Sequence, residues 1–136
     1  MTRGERNNNP GNIRYLPNGE HWIGERKNEG DPDFCEFNTP EEGIRALAKT
    51  LITYQRKHGL NTVRNIINRW APSSENDTDA YVYAVAQDCA VTPTQILDLN
   101  DSQMLSKLCK AIIRHENGRV IYSDEQINQG VQSALA

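Results

Sequence analysis

The 136-residue sequence lacks the features that mark several large functional classes. Its formal net charge is −3 and its lysines and arginines are scattered, so it has no basic patch of the kind that binds nucleic acid. No apolar run approaches the roughly 18 residues that a membrane-spanning helix needs. We therefore expect no nucleic-acid partner and no insertion into a membrane.

Cysteine and histidine are also scarce. Cys35, Cys89 and Cys109 are an odd number without C-x-x-C spacing, which argues against a disulfide framework and against a zinc site. The three histidines are far apart in the sequence and show no metal-ligand spacing. We predict buried free thiols, no metal ion and no cofactor.

Turn-forming residues dominate the first 38 positions. Asn, Gly and Pro recur there, and only short apolar pieces, such as 13–15 and 34–37, lie between them. This composition predicts a loop-rich lobe over residues 1–38 with two or three short strands. Phe34 and Phe37 are expected to anchor this lobe to the core.

Capping signals and helical apolar patterns alternate from Thr39 onward. The first signal is Thr-Pro-Glu-Glu at 39–42, and its helix ends at Gly59. The sequence therefore predicts one mainly helical α+β domain, residues 1–136, in which 39–136 form the helical lobe. Further helices are predicted from about 61 to before Pro72, from 76 or 77 after a polar link, from 92 to 99, from 100 or 101 to 116, and from 123 onward.

A carboxylate stands at the end of the helix that is predicted to stop near residue 116. Apolar positions lead to Glu116, and Gly118 follows where a left-handed residue ends a helix. If the side chain is also partly buried, burial and the negative end of the helix dipole both favour the protonated form that a general acid requires. An ordinary surface glutamate is the alternative interpretation.

Two further features suit a carbohydrate ligand. Asn9 and Asn12 flank a Pro-Gly turn, and their amides match the hydroxyl and N-acetyl groups of sugars. Trp22 and Trp70, with Tyr81, offer flat apolar faces on which sugar rings stack. A polar turn and ordinary core packing explain the same residues without a ligand.

Four segments follow one another in a particular order. They are Asn-Asn-Pro-Gly-Asn-Ile-Arg at 8–14, Trp-Ile-Gly at 22–24, Phe-Cys-Glu-Phe-Asn-Thr-Pro-Glu-Glu-Gly-Ile at 34–44, and Trp-Ala-Pro at 70–72 followed by Asn-Asp-Thr-Asp-Ala-Tyr at 76–81. Their order resembles that of peptidoglycan-cleaving glucosaminidase domains, including the flagellar muramidases. The resemblance implies a lysozyme-like fold that binds the glycan strands of peptidoglycan.

One departure from the order of that family is informative. There the catalytic Glu, at the end of a helix, precedes the Asn-Asn segment, whereas here the matching His-Glu-Asn-Gly turn at 115–118 follows it. We therefore expect a circularly permuted lysozyme-like domain in which Glu116 lies near Asn9 and Trp22. Termini that lie close together make such a rearrangement tolerable.

Glycoside cleavage requires a proton for the leaving oxygen and stabilisation of a cationic transition state. We predict Glu116 as the acid, and Glu29, or as second choice Glu25, as a second carboxylate. The resemblance also implies that Tyr81 orients the substrate or the acid. A single carboxylate suffices where the N-acetyl group or an internal hydroxyl of the substrate attacks, so muramidase, lytic transglycosylase and glucosaminidase activities all stay open.

The whole chain also resembles small proteins of tailed phages and prophages that are described only as virion structural proteins. Its first residues show no apolar core of a secretion signal. We therefore expect an endolysin or virion protein, located in the virion or the host cytoplasm, that acts on the cell wall in the periplasm and has virion proteins as further partners. The alternative is a non-catalytic virion structural or peptidoglycan-binding protein with the same fold.

Overall fold

A computed structural model describes residues 1–19, 21–27 and 30–136. Helices dominate these ranges, so the prediction of a mainly helical class is confirmed. In chain order the described helices are α1 (Arg3–Arg6), α2 (Pro40–His58), α3 (Val63–Trp70), α4 (Thr78–Asp88), α5 (Ser102–Asn117) and α6 (Asp124–Leu135).

Local capping residues determine where the long helices begin and end. Thr39 caps α2 with Pro40 at its first position, and Ser123 caps α6 in a complete capping box. Gly59 and Gly118 end α2 and α5 in the left-handed conformation, with φ of 65° and 76°. These boundaries agree with the predicted ones because each depends on neighbouring residues alone.

One hydrophobic core joins helices α2 to α6, and the α2–α6 contact is the most extensive in the described part of the chain. The core fixes the helical lobe against which the site is built. The largest fully buried side chains of this core are Ile44, Leu47, Leu51, Ile66, Ile67, Tyr81, Leu99, Leu105, Leu108, Ile112 and Ile113.

The N-terminal lobe contains isolated bridges where strands were expected. Arg14 pairs with Phe34 and Glu25 pairs with Phe37, each as a single antiparallel bridge, and no strand forms in the described parts of residues 1–38. The frequent turns leave no extended run long enough for a ladder. The prediction of two or three short strands is therefore wrong for the residues that the structure describes.

Side chains hold this lobe together and attach it to α2. Phe37 is fully buried beside Cys35 and Ala46 of α2, which confirms its anchoring role. Phe34 is only partly buried, and the guanidinium of Arg3 lies 4.6 Å from the centroid of its ring. Phe37 thus provides the apolar anchor that the sequence had assigned to both phenylalanines.

The N-terminus packs against the end of α5. Thr2 donates a 2.7 Å hydrogen bond to Oδ1 of Asn117, and Nδ2 of Asn117 donates to the carbonyl of Pro10 at 2.8 Å. Arg119 donates to both carboxylate oxygens of Glu5 at 2.9 and 3.1 Å. The Asn-Pro-Gly segment and the Glu116 turn therefore meet although they lie at opposite ends of the sequence.

The segment between α4 and α5 is not a helix, so the helix predicted over 92–99 is wrong. Leu97 and Leu99 are buried there, and their backbone N–H groups donate to the carbonyl of Asn61 at 2.7 Å and to Oε1 of Gln55 at 2.8 Å. Partners on other elements thus replace the hydrogen bonds that a helix would have formed within itself.

All three cysteines are free and buried, as the sequence predicted. Burial raises the pKa of Cys35 to about 12 and that of Cys89 to about 11, and it also raises the pKa of Cys109. A thiol with such a pKa stays protonated at neutral pH and is a poor nucleophile. We assign these cysteines to packing.

Candidate active site

A groove of about 610 Å³ lies between the N-terminal lobe and the helical lobe, beside the end of α5. Glu116, from the last turn of α5, lines it. Asn12 and Trp22 line it from the N-terminal lobe, and Trp70 lines it from the end of α3. The structure thus brings together four residues that were singled out from three distant parts of the sequence.

Both carboxylate oxygens of the half-buried Glu116 accept hydrogen bonds. Nδ2 of Asn12 donates to Oε1 at 3.0 Å, and the hydroxyl of Tyr81 donates to Oε2 at 2.7 Å. The two donors come from the N-terminal lobe and from α4. Hydrogen bonds to a carboxylate are stronger than neutral ones, so this pair fixes the orientation of the group.

Tyr81 lies behind Glu116 and is 1% exposed. Its hydroxyl accepts a 3.2 Å hydrogen bond from Nε1 of Trp70, and its ring stacks on that of His115 with 3.7 Å between centroids. Burial, and then the neighbouring Glu116 carboxylate, raise the pKa of Tyr81 well above its ordinary value. The phenol therefore remains a hydrogen-bond donor, and it positions Glu116 from outside the groove lining.

Asn12 occupies a backbone position that suits asparagine. Its φ of 52° is left-handed, a conformation that Asn tolerates better than most residues, and its N–H donates to the carbonyl of Asn9 at 3.0 Å. This turn directs the Asn12 amide to Glu116. The Asn-Pro-Gly-Asn pattern is therefore the local signal that places the donor.

Asn9 is fully buried inside the N-terminal lobe. Its amide nitrogen donates to the carbonyls of Ile13 and Cys35 at 3.0 Å each, and its amide oxygen accepts from the N–H of Ile13 at 3.0 Å. The side chain holds the loop that carries Asn12. It has no exposed surface to offer to a glycan.

Glu29 and Glu25 were the two candidates for the second catalytic carboxylate. Glu29 lies outside the described residues. The Glu25 side chain is 4% exposed, accepts a 3.0 Å hydrogen bond from the N–H of Trp22, and lies 3.4 Å from Nδ1 of His21. Glu25 lines a smaller recess next to Trp22, and it supports the turn that presents the tryptophan.

Glu75 lines the same groove as Glu116, and its role was not predicted. It lies in the loop between α3 and α4, its side chain is 60% exposed, and its Oε2 is 3.7 Å from Nη2 of Arg14, another lining residue. In the sequence it belongs to a polar link between two pieces of the family resemblance. That position was the only signal that pointed to the groove.

Two further properties of the described residues bear on the predictions. No group of three or more His, Cys, Asp or Glu side chains comes together there in a way that could hold a metal ion. None of the helices in that part of the chain is long and apolar enough to cross a bilayer. The described lining of the groove includes two carboxylates, two side-chain amides and two indoles.

The fold and the site define a mainly helical domain with a carboxylate-bearing groove between its two lobes. No known protein-family profile matches the sequence. The chain is 43% identical over 131 residues to Protein P5 of Pseudoalteromonas phage PM2, which covers 96% of this chain and 80% of that protein. The chain therefore belongs to the family of Protein P5. This family includes a phage protein, as we expected from the sequence.

Proposed function

We propose that this protein is a peptidoglycan-cleaving glycosidase with Glu116 as its general acid. The observation that carries the proposal is the orientation of the Glu116 carboxylate, which Asn12 and Tyr81 hold at the side of a groove. Glycoside cleavage depends on a carboxylic acid that is fixed within reach of the leaving oxygen. Hydrogen bonds from both the N-terminal lobe and α4 distinguish Glu116 from an ordinary surface glutamate.

Hydrogen-bonding capacity at Glu116 is compatible with proton donation. Each carboxylate oxygen has two acceptor sites, and Asn12 and Tyr81 occupy one site on each oxygen. A remaining site can carry the acid proton, which the carboxyl group then donates to the glycosidic oxygen. As the proton leaves, the two donors stabilise the carboxylate that forms.

Trp22 and Trp70 supply the surfaces on which sugar rings would stack. Both are partly buried and both line the groove. Trp70 also donates to Tyr81, so the orientation of its indole ring is coupled to the residue that positions the acid. A bound glycan would thus contact the same network that fixes Glu116.

We further propose that the domain is lysozyme-like in permuted order. The N-terminal Asn segment lies against the helix end that carries the acid, through the contacts of Thr2 with Asn117 and of Asn12 with Glu116. This is the juxtaposition that permutation requires. The phage origin of Protein P5 supports a place in a virion or in lysis, with action on the cell wall.

A turbidity or zymogram assay on purified peptidoglycan tests the proposal. Wild type should clear the substrate, whereas Glu116→Gln, which keeps the shape but carries no acidic proton, should not. Glu125→Gln is the matched control because Glu125 is exposed in the first turn of α6 and is not among the groove-lining residues. Binding of peptidoglycan without clearing by any variant would favour the non-catalytic alternative.

Mass analysis of the released fragments identifies the reaction. Hydrolysis leaves a free reducing end on muramic acid or on glucosamine according to the bond that is cut, whereas internal attack leaves an anhydro sugar. These products distinguish a muramidase, a glucosaminidase and a lytic transglycosylase.

A further inference from the structure

Two carboxylates belong to the described lining of the groove, Glu116 and Glu75. Glu116 lies at the end of α5, and Glu75 lies in the loop between α3 and α4. An acid-catalysed hydrolysis with a second carboxylate needs that group beside the same substrate, with room for water. Glu75 lies beside the same substrate path because it lines the groove. Its side chain is 60% exposed, which leaves room for water.

The loop that carries Glu75 is tied down on both sides. The N–H of Glu75 donates to the carbonyl of Pro72 at 3.0 Å, and the hydroxyl of the buried Thr78 donates to the carbonyl of Ala71. Asp77 then caps α4 by accepting from the N–H of Ala80. These contacts hold the loop backbone next to Trp70, so Glu75 has a defined place at the groove.

Arg14 reaches Glu75 from the N-terminal lobe. Its guanidinium lies 3.7 Å from Oε2 of Glu75 and 5.4 Å from the centroid of the Phe34 ring. The exposed carboxylate thus lies beside a lining residue of the other lobe. An exposed ion pair of this kind contributes little to stability, so an entering glycan can separate it at little cost.

Glu25 is less suited to this role. Its side chain is 4% exposed, and it accepts a hydrogen bond from the N–H of Trp22. A group that takes a proton from water must be open to water. Glu75 is open to solvent and Glu25 is enclosed.

We propose that Glu75 is the second carboxylate of the reaction, the base that activates the attacking water; this rests on the proposed function. The oxygen of water bonds to the anomeric carbon while the carboxylate of Glu75 takes its proton. The bond from that carbon to the leaving oxygen breaks, and the leaving oxygen takes the proton of Glu116. Attack from the side opposite the leaving group inverts the anomeric configuration.

Azide rescue of Glu75→Ala tests this role, with soluble chitooligosaccharides or peptidoglycan fragments as the substrate. The variant should lose at least about 100-fold in kcat with little change in KM. Added azide needs no base, so it should restore turnover and appear in a glycosyl azide of inverted configuration. Asp79→Asn is the matched control, since Asp79 is 82% exposed and lies 3.9 Å from Arg64 outside the groove lining.

The outcomes separate this inference from the proposed function. If wild type cleaves and Glu75→Ala keeps activity within about threefold, or if wild type releases anhydro sugars, Glu75 is not the base and the glycosidase proposal stands. If wild type cleaves no glycan while it is folded, both fail. Loss of activity that azide does not restore would also contradict the role of Glu75. Azide attacks without the help of a base, so it should restore turnover if the base is all that the variant lacks.

Discussion

The hydroxyl of Tyr81 donates a 2.7 Å hydrogen bond to Oε2 of Glu116, and this contact ties the buried face of α4 to the last turn of α5. Trp70 extends the chain to α3 through its own bond to the same hydroxyl. Three helices therefore determine where the carboxylate lies. Tyr81, which is buried and is not among the residues that line the groove, therefore positions the Glu116 carboxylate, the proposed acid.

Removing this hydroxyl should affect both catalysis and stability. Tyr81→Phe keeps the ring stacked on His115 but leaves Oε2 of Glu116 without this donor. We expect kcat to fall at least about tenfold at similar KM, and the free energy of unfolding to fall by about 1–3 kcal/mol. Rates of fragment release and urea unfolding measure the two effects.

Tyr83→Phe is the control for this substitution. Tyr83 lies on the same helix, is 59% exposed, and is 3.5 Å from Nη2 of Arg64. Its substitution should change neither the rate nor the stability appreciably. Equal rates for Tyr81→Phe and wild type would show that Tyr81 does not position the acid.

Trp22 should contribute to glycan affinity. It lines the groove and is only partly buried against the small cluster of Cys35 and Phe37, so Trp22→Ala should leave the helical lobe folded. Loss of one stacking surface should weaken glycan binding by about tenfold, which corresponds to about 1.4 kcal/mol. Calorimetry with chitooligosaccharides measures this change. Trp22→Ala is made in the Glu116→Gln protein and compared with Glu116→Gln alone, so that the ligand is not cleaved.

Ile23→Ala provides the matched comparison for Trp22. Ile23 is the next residue and is 63% exposed, but it is not among the groove-lining residues. Its substitution should leave affinity unchanged. A similar loss in both variants would mean that the turn, and not the indole, matters for binding.

Acid stability should depend on the contact between the N-terminus and the end of α5. Hydrogen bonds from Arg119 lower the pKa of Glu5 to about 2 from 4.5. Because the folded state has the lower pKa, the stabilisation is complete above about pH 4.5 and is lost as the pH falls towards 2. Glu5→Gln should therefore be less stable than wild type at pH 7, with a difference that shrinks over this range.

Urea unfolding between pH 2 and pH 7 measures that difference. Glu125→Gln serves as the control, since Glu125 is exposed, and its stability should follow that of wild type at every pH. A difference between Glu5→Gln and wild type that stays constant down to pH 2 would contradict the assigned role of Glu5.

Local sequence signals predicted the helices well. Thr39, Ser123 and Gly118 act through hydrogen bonds or backbone conformation within one turn, so their effects do not depend on the rest of the fold. The helix over 92–99 failed because Leu97 and Leu99 take partners from other elements. A capping signal cannot reveal that competition.

The candidate site was predictable only where the order of motifs carried information. That order put Glu116, Asn12, Trp22 and Trp70 together, and the structure places all four along one groove. Glu75 escaped notice because its place depends on how the α3–α4 loop packs against the N-terminal lobe. Which amide of the Asn-rich turn faces Glu116 depends on backbone conformation, which composition alone does not specify.

The rate at which soluble muropeptides leave purified peptidoglycan tests the central claim most directly. Wild type, Glu116→Gln and Glu125→Gln should be compared at equal concentration over a broad pH range, after each is shown to be folded. We predict equal release by wild type and Glu125→Gln, and a rate at least about 100-fold lower for Glu116→Gln. Release by Glu116→Gln at the wild-type rate, or no release by folded wild type at any pH, would contradict the account.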